Sequence, residues 1–233
     1  MEATFKISPK ILEHLGVSAY TSLKKCLAEL CSNCYAVFYN DYLNLEEISR
    51  KIFVLLNQLN IREANIMDTK RLGQIHFNSY QEVYKNIMPI SFISKITQES
   101  MANKFSKILN ENKEKISVLS IHKNIIGFVS YGSDRENPKE GEIISIYLDP
   151  LYFRQKYGAT LMDFAIQKLK LKGYQKINLW VLQNNEQAIN FYLKFGFEIT
   201  DKKQILIDSE LLDEFKMTLN TQLKLHTADS ILE

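Results

Sequence analysis

The sequence is poor in the residues that cross-link, kink or anchor a chain, and each shortage removes a class of function. Its three cysteines all fall within Cys26–Cys34, too few and too close for a disulfide framework. The spacing Cys26-x4-Cys31-x2-Cys34 is also met in iron–sulfur ligation, but there is no fourth cysteine and a helix would spread the three thiols around its circumference. Buried helix cysteines are the simpler account. Eight glycines are scattered so that no two stand one residue apart. Gly127 and Gly132 have the separation of a Walker loop but lack the Lys-Ser/Thr that must follow. No metal-ligand set or nucleophile triad is recognisable. No apolar run approaches the roughly 18 residues of a membrane span. A net charge of only +2 gives no electrostatic case for a nucleic-acid or membrane partner. The opening Met1-Glu2-Ala3-Thr4-Phe5-Lys6 meets charge too soon for a secretory signal, so the cytoplasm is the expected compartment.

What is present is the composition of a globular protein: 233 residues, 45% hydrophobic and 24% charged, able to bury a core as one large domain or as an ordinary one with an appendage. The stretch from Glu142 to Phe197 organises it. An apolar run (Ile143-Ile144-Ser145-Ile146-Tyr147-Leu148) is stopped by Asp149-Pro150 and followed by the loop Phe153-Arg154-Gln155-Lys156-Tyr157-Gly158. An amphipathic helix then closes at Lys172-Gly173, and a second apolar run covers Ile177–Leu182. Gln183-Asn184-Asn185-Glu186 opens a further helix, which ends at Gly196-Phe197. The pattern predicts strand, loop, helix, strand, helix, strand. A helix that starts straight after a strand, with a glycine at its entry and cations beside it, offers unpaired N–H groups and partial positive charge to a phosphate or pyrophosphate.

Glu142 to Phe153, the loop to Gly158, Leu161-Met162 and the Asn185…Ala188…Phe191-Tyr192…Gly196-Phe197 run resemble the GCN5-related N-acetyltransferases, in order and spacing, without insertion or deletion. The resemblance implies an α/β fold over residues 59–219, with a mixed central sheet splayed between its fourth and fifth strands and flanked by helices. It implies acetyl-CoA as co-substrate, no metal, and transfer to a primary amine by direct attack in a ternary complex. The pantetheine arm would lie along the fourth strand like an added strand, served by backbone near Ile146 and Leu148. The pyrophosphate would meet Arg154, Lys156, Tyr157, Gly158 and Ala159, and Asn185 and Tyr192 would also touch the cofactor. The family's loop reads Gln/Arg-x-x-Gly-x-Gly/Ala; here Phe153 replaces the first residue and Lys156 the first glycine. Weaker cofactor binding than in members with both glycines is expected.

By the same resemblance Tyr192 stands where the family has its general acid for the departing thiolate, a phenol of pKa about 10 suited to that task. The structural alternative is a packed aromatic among Phe191, Phe195 and Phe197. Glu142 stands where the histone-type members have a general base, the alternative being a solvated residue that ends the Glu140-Gly141 turn. Asn185 also suits a helix N-cap. His76 and His122, alone on apolar patterns, read as structural.

Residues 1–57 are expected to form a helical appendage. Ser8-Pro9 suits a helix start, and Leu23, Leu27, Leu30 and Cys34, then Ile48, Ile52, Leu55 and Leu56, recur at helical spacing. Ile7 to Gly16 and Ala28 to Tyr35 are similar to the opening of the GHKL ATPases, which implies Glu29 for water activation and Asn33 for magnesium. Ala36 replaces the following Asp and the Asp-x-Gly-x-Gly motif is missing, so no ATP site can be completed. The appendage would pack, or meet a protein partner or a second copy of the chain. From Ile61 a short strand leads to a helix capped by Asp68 or Thr69 and running to about Val83; Met88-Pro89 breaks it. A helix from Thr97 to Leu109 follows, then strands Ile116–His122 and Ile125–Tyr131 around a turn at Lys123-Asn124, and a solvated loop from Ser133 to Gly141. After Phe197 a polar connection leads to a last strand, Leu212–Leu219, and residues 220–233 form a polar tail. Two other classes stay open: a degenerate acyl-CoA-binding module without catalysis, and a regulatory protein using this fold as scaffold. The acceptor, a small molecule or a peptide amine, would be chosen by loops around Tyr80–Ile96 and 133–141.

Overall fold

The computed structural model describes residues 59–112 and 114–221; the appendage expected over 1–57 and nearly all of the 220–233 tail lie outside them. The larger of two units holds Ile61–Ser120 and everything described from Asn124 onward. β1 (Leu59–Glu63) leads through a 3-10 turn (Ile66–Asp68) into α1 (Thr69–Tyr84), followed by α2 (Ile90–Ile93), α3 (Gln98–Glu111), β2 (Lys115–Ile121), β3 (Asn124–Ser133) and β4 (Gly141–Leu148). A 3-10 turn (Pro150–Tyr152), α4 (Tyr157–Leu171), β5 (Lys176–Leu182), α5 (Glu186–Leu193), β6 (Glu198–Ile207) and β7 (Glu210–Asn220) complete it. The strands form one mixed sheet in the order β1-β2-β3-β4-β5-β7-β6.

Local chemistry sets where these elements begin. A capping box joins Asn65 and Asp68: the Asn65 side chain accepts from Met67 N–H, and Asp68 accepts from Asn65 N–H at 2.8 Å. Arg62 forks onto the same carboxylate at 2.7 and 2.8 Å and holds its pKa below the usual carboxylate range. Arg71 reaches from α1 to the Ile125 carbonyl (2.8 Å) and the Asp149 carboxylate (2.9 Å), pinning the helix across the adjoining ends of β3 and β4.

Leu72 and Ile75 of α1, Phe105 of α3, and Ile116, Val118 and Phe128 of the sheet form one buried cluster. Each such side chain contributes about 1.5–3 kcal/mol by leaving water. The two helices cross closely at Gly73, where an added Cβ would stand 2.6 Å from the Ala102 backbone nitrogen. On the opposite face a Cβ at Gly127, next to Phe128, would meet Leu161 of α4 at 3.2 Å. One strand therefore separates two helical layers.

β4 pairs fully with β3, with Ile144 as a bulged extra residue between the Ser130–Ser145 and Tyr131–Ile143 pairs. Its parallel pairing with β5 stops after Gly141–Ile177 and Glu142–Asn178, whereas β5 pairs with β7 along its whole length. From Ile143 to Leu148 one side of β4 is without a strand partner. The expected splay is present.

Two expectations need correction. The β2–β3 turn is His122-Lys123, both at positive φ (46° and 72°), one residue before the expected Lys123-Asn124. The polar connection after Phe197 is instead the ten-residue strand β6, paired with β7 from Glu198 to Ile207. It lies at the sheet edge and is mostly exposed on both faces, so it carries no apolar alternation to reveal it. Among the described residues no helix is long and apolar enough to cross a membrane.

Candidate active site

Asp149 ends β4: its side chain accepts from the Leu151 N–H at 3.2 Å while Arg71 holds it from α1. The chain then climbs to α4 through Arg154 (φ 60°) and Lys156 (φ 67°), both exposed. Lys156 is the N-cap of α4 in the left-handed region and gives the helix no side-chain cap. The first turn of α4 thus opens onto the loop with no cap from the Lys156 side chain. Gly158 sits where a Cβ would touch Leu148 at 3.6 Å and Phe191 at 3.7 Å. The end of β4, the entry of α4 and the C-terminal half of α5 meet there.

Aromatic residues from three elements line the deeper part of the cleft. The Tyr147 ring of β4 lies 4.4 Å from His76 and 6.1 Å from Tyr80, and Tyr80 lies 4.4 Å from Tyr84. His76 is buried with Nδ1 unpartnered, and burial lowers its pKa to about 3, so it is a neutral ring at any ordinary pH. Burial also raises the Tyr80, Tyr84, Tyr147 and Tyr192 phenols above their usual value. For Tyr84, hydrogen bonding to Tyr147 and Asn185 opposes the rise. All four remain protonated donors at neutral pH.

Tyr192 packs its ring 5.5 Å from Phe191 and 6.2 Å from Phe197. Its hydroxyl makes no hydrogen bond among the described residues, and its phenol feels Tyr84 and bears on Tyr147. Asn185 is buried, caps α5 by accepting from Ala188 N–H at 3.2 Å, and meets Tyr84. Leu148, Gly158, Asn185 and Tyr192 are therefore brought together, with Ile146 on the unpaired length of β4.

Glu142 is placed otherwise. It lies where β4 and β5 are still paired, is 2% exposed, and is held in a fork by Arg135, whose backbone N–H (3.1 Å) and Nε (2.9 Å) also donate to Oε2. A carboxylate so engaged has its lone pairs committed. The acid that sequence reasoning missed is Glu214 on β7, opposite Leu182 of β5 and Lys203 of β6. It is half-buried and lifts both the Tyr80 and Tyr84 phenols. The available signal was the adjacent Asp213-Glu214 pair inside a strand, which alternation must split between two faces. Among the described residues no three His, Cys, Asp or Glu side chains are grouped to hold a metal ion.

A mixed sheet opened between parallel strands, with an uncapped helix at the mouth and phenols within, defines an α/β acyltransferase. The acetyltransferase (GNAT) family model matches residues 78–197, half of the chain, and the chain belongs to that family. Membership makes it an N-acetyltransferase with acetyl-CoA as co-substrate. A spermidine N(1)-acetyltransferase from Thermoplasma acidophilum is 28% identical over 150 residues, 61% of this chain and 90% of that protein. The N-acetyltransferase YuaI of Bacillus subtilis is 26% identical over 141 residues, 59% of this chain and 79% of its own. Among solved structures, the PaiA N-acetyltransferase of Thermoplasma acidophilum in complex with coenzyme A has a TM-score of 0.53 at 24% identity, covering 67% of this chain and 97% of that one. The expected family and fold are borne out.

Proposed function

We propose that this protein moves the acetyl group of acetyl-CoA onto the primary amine of a small cationic molecule, by direct attack. The observation that carries the reading is the unpartnered Tyr192 hydroxyl beside the open side of β4. The unpaired backbone from Ile143 to Leu148 suits an extended acyl carrier added as a strand. Arg154, Lys156 and the first N–H groups of α4 suit its pyrophosphate. Holding thioester and amine together lowers the barrier by removing the need for a chance encounter. Tyr192 gives its proton to the thiolate as the carbon–sulfur bond breaks. Asn185 fixes α5, and with it Tyr192. Relatedness to a spermidine acetyltransferase supports a small alkylamine acceptor over a peptide.

The test is thiol release from acetyl-CoA across spermidine, putrescine, an aminoglycoside and a peptide with a free N-terminus. Saturable turnover with the alkylamines is expected. Acetyl-CoA binding without turnover on any amine would sink the reading and leave a binding module.

A further inference from the structure

The cations around Glu214 of β7 are already engaged. Lys203 and Lys216 are taken by Glu136 at 3.0 and 3.2 Å, and Lys216 also lies 3.8 Å from Asp134. Arg135 is taken by Glu142, and Lys203 additionally caps the Trp180 ring at 3.5 Å. Glu214 has no hydrogen bond or ion pair among the described residues, although it is half-buried in the same group. The groups facing it are the phenols of Tyr80 and Tyr84 from α1, Arg135 and Glu136 from the β3–β4 loop, and Lys203 from β6. Its facing cations, Lys203 and Arg135, are already engaged by Glu136 and Glu142, so a half-withdrawn carboxylate there gains from a further positive group. The tilted Tyr80 and Tyr84 rings beside it suit an organic cation. Ser91 and Lys95 tie the segment after α1 to Asp208 at the β6–β7 turn (2.8 and 3.0 Å).

We infer that Glu214 receives the acceptor, docking its alkylammonium in the cleft and taking its proton. This rests on the acetyl-transfer reading above and gives Glu214, not Glu142, contact with the amine. The ammonium passes one proton to the carboxylate; the freed lone pair forms the carbon–nitrogen bond, the carbon–sulfur bond breaks, and the thiolate takes the Tyr192 proton. The amide nitrogen loses its second proton to water, Glu214 returns its own, and Tyr192 recovers one. The balance is N-acetylamine, coenzyme A thiol and one proton released. Burial raises the Glu214 carboxyl above the ordinary carboxylate range, in the direction that makes it a better proton acceptor.

The experiment compares the full chain with Glu214→Gln, using spermidine and propylamine, with kcat/KM followed as a function of pH and acetyl-CoA affinity measured by calorimetry. The expected result is a loss of about a hundredfold at pH 7, the lower edge of general-base effects, with acetyl-CoA affinity within about twofold. The deficit should shrink towards the amine's own pKa of about 10, where the substrate arrives deprotonated. A variant equal to the parent at every pH, or reduced by the same factor at every pH, overturns the inference while the acetyl-transfer reading stands. A parent that binds acetyl-CoA but acetylates neither amine overturns both.

Discussion

α4 and α5 both begin at the splay, and their first turns are built in opposite ways. Asn185 closes the start of α5 with its own buried side chain. α4 starts from a lysine in the left-handed region, with two exposed cations in its loop and no side-chain cap. α5 carries its own side-chain cap and α4 does not. The acids divide as well: Glu142 is locked by Arg135, and Glu214 has no ion pair or hydrogen bond among the described residues.

The largest break in that comparison should come from Tyr192, whose hydroxyl makes no hydrogen bond among the described residues and whose phenol bears on Tyr147 of the open strand. Tyr192→Phe keeps the ring between Phe191 and Phe197 and removes only the hydroxyl. A fall of about a hundredfold in kcat is expected, with acetyl-CoA affinity within about twofold, because the proton moves in the transition state. Unchanged kcat would make Tyr192 a packing residue and assign the proton to water.

Glu142→Gln tests the paired acid from the other side. It leaves the Arg135 guanidinium with one charged partner fewer at the closed end of the sheet, so unfolding in urea should show a loss of about 1–3 kcal/mol. The pH dependence of kcat/KM should keep its shape. Intact stability with a lost pH limb would restore Glu142 as the base. Asn185→Ala should cost about 1 kcal/mol through the lost cap, read as a lower Tm, and should loosen Tyr84 as well. An unchanged Tm would show that α5 does not depend on its cap.

Much of this was legible in the sequence, for reasons that differ along the chain. β4 and β5 are buried apolar runs closed by Asp149-Pro150 and by the Gln183–Glu186 turn, so hydrophobicity alone marks them. Asn185 was legible because an N-cap has a chemical preference. β6 was not, because an edge strand exposed on both faces needs no apolar side. The Tyr80, Tyr84, Tyr147 and Tyr192 cluster joins three elements, and no local period encodes a meeting of that kind. Glu214 was hidden likewise: its lack of a partner depends on how Lys203, Lys216 and Arg135 are shared out by residues from three other segments.

The smallest effect, and the sharpest test of the open helix entrance, is Lys156→Gly. At φ 67° a residue with a Cβ carries about 1–2 kcal/mol of strain. Glycine removes that strain but loses about 0.5–1 kcal/mol more conformational freedom on folding. The two nearly offset, so Tm should move little. What the substitution removes without compensation is an exposed cation at the mouth of α4, worth about 0.3–1 kcal/mol to a nearby anion at low ionic strength. Acetyl-CoA binding should weaken by about two- to fourfold in dilute buffer, and the difference should fade near 1 M salt, where charges are screened within about 3 Å. Tighter binding by the glycine variant would mean that the strained backbone, and not the missing charge, limits this loop. A deficit that persists at high salt would mean that the lysine acts by shape and not by charge.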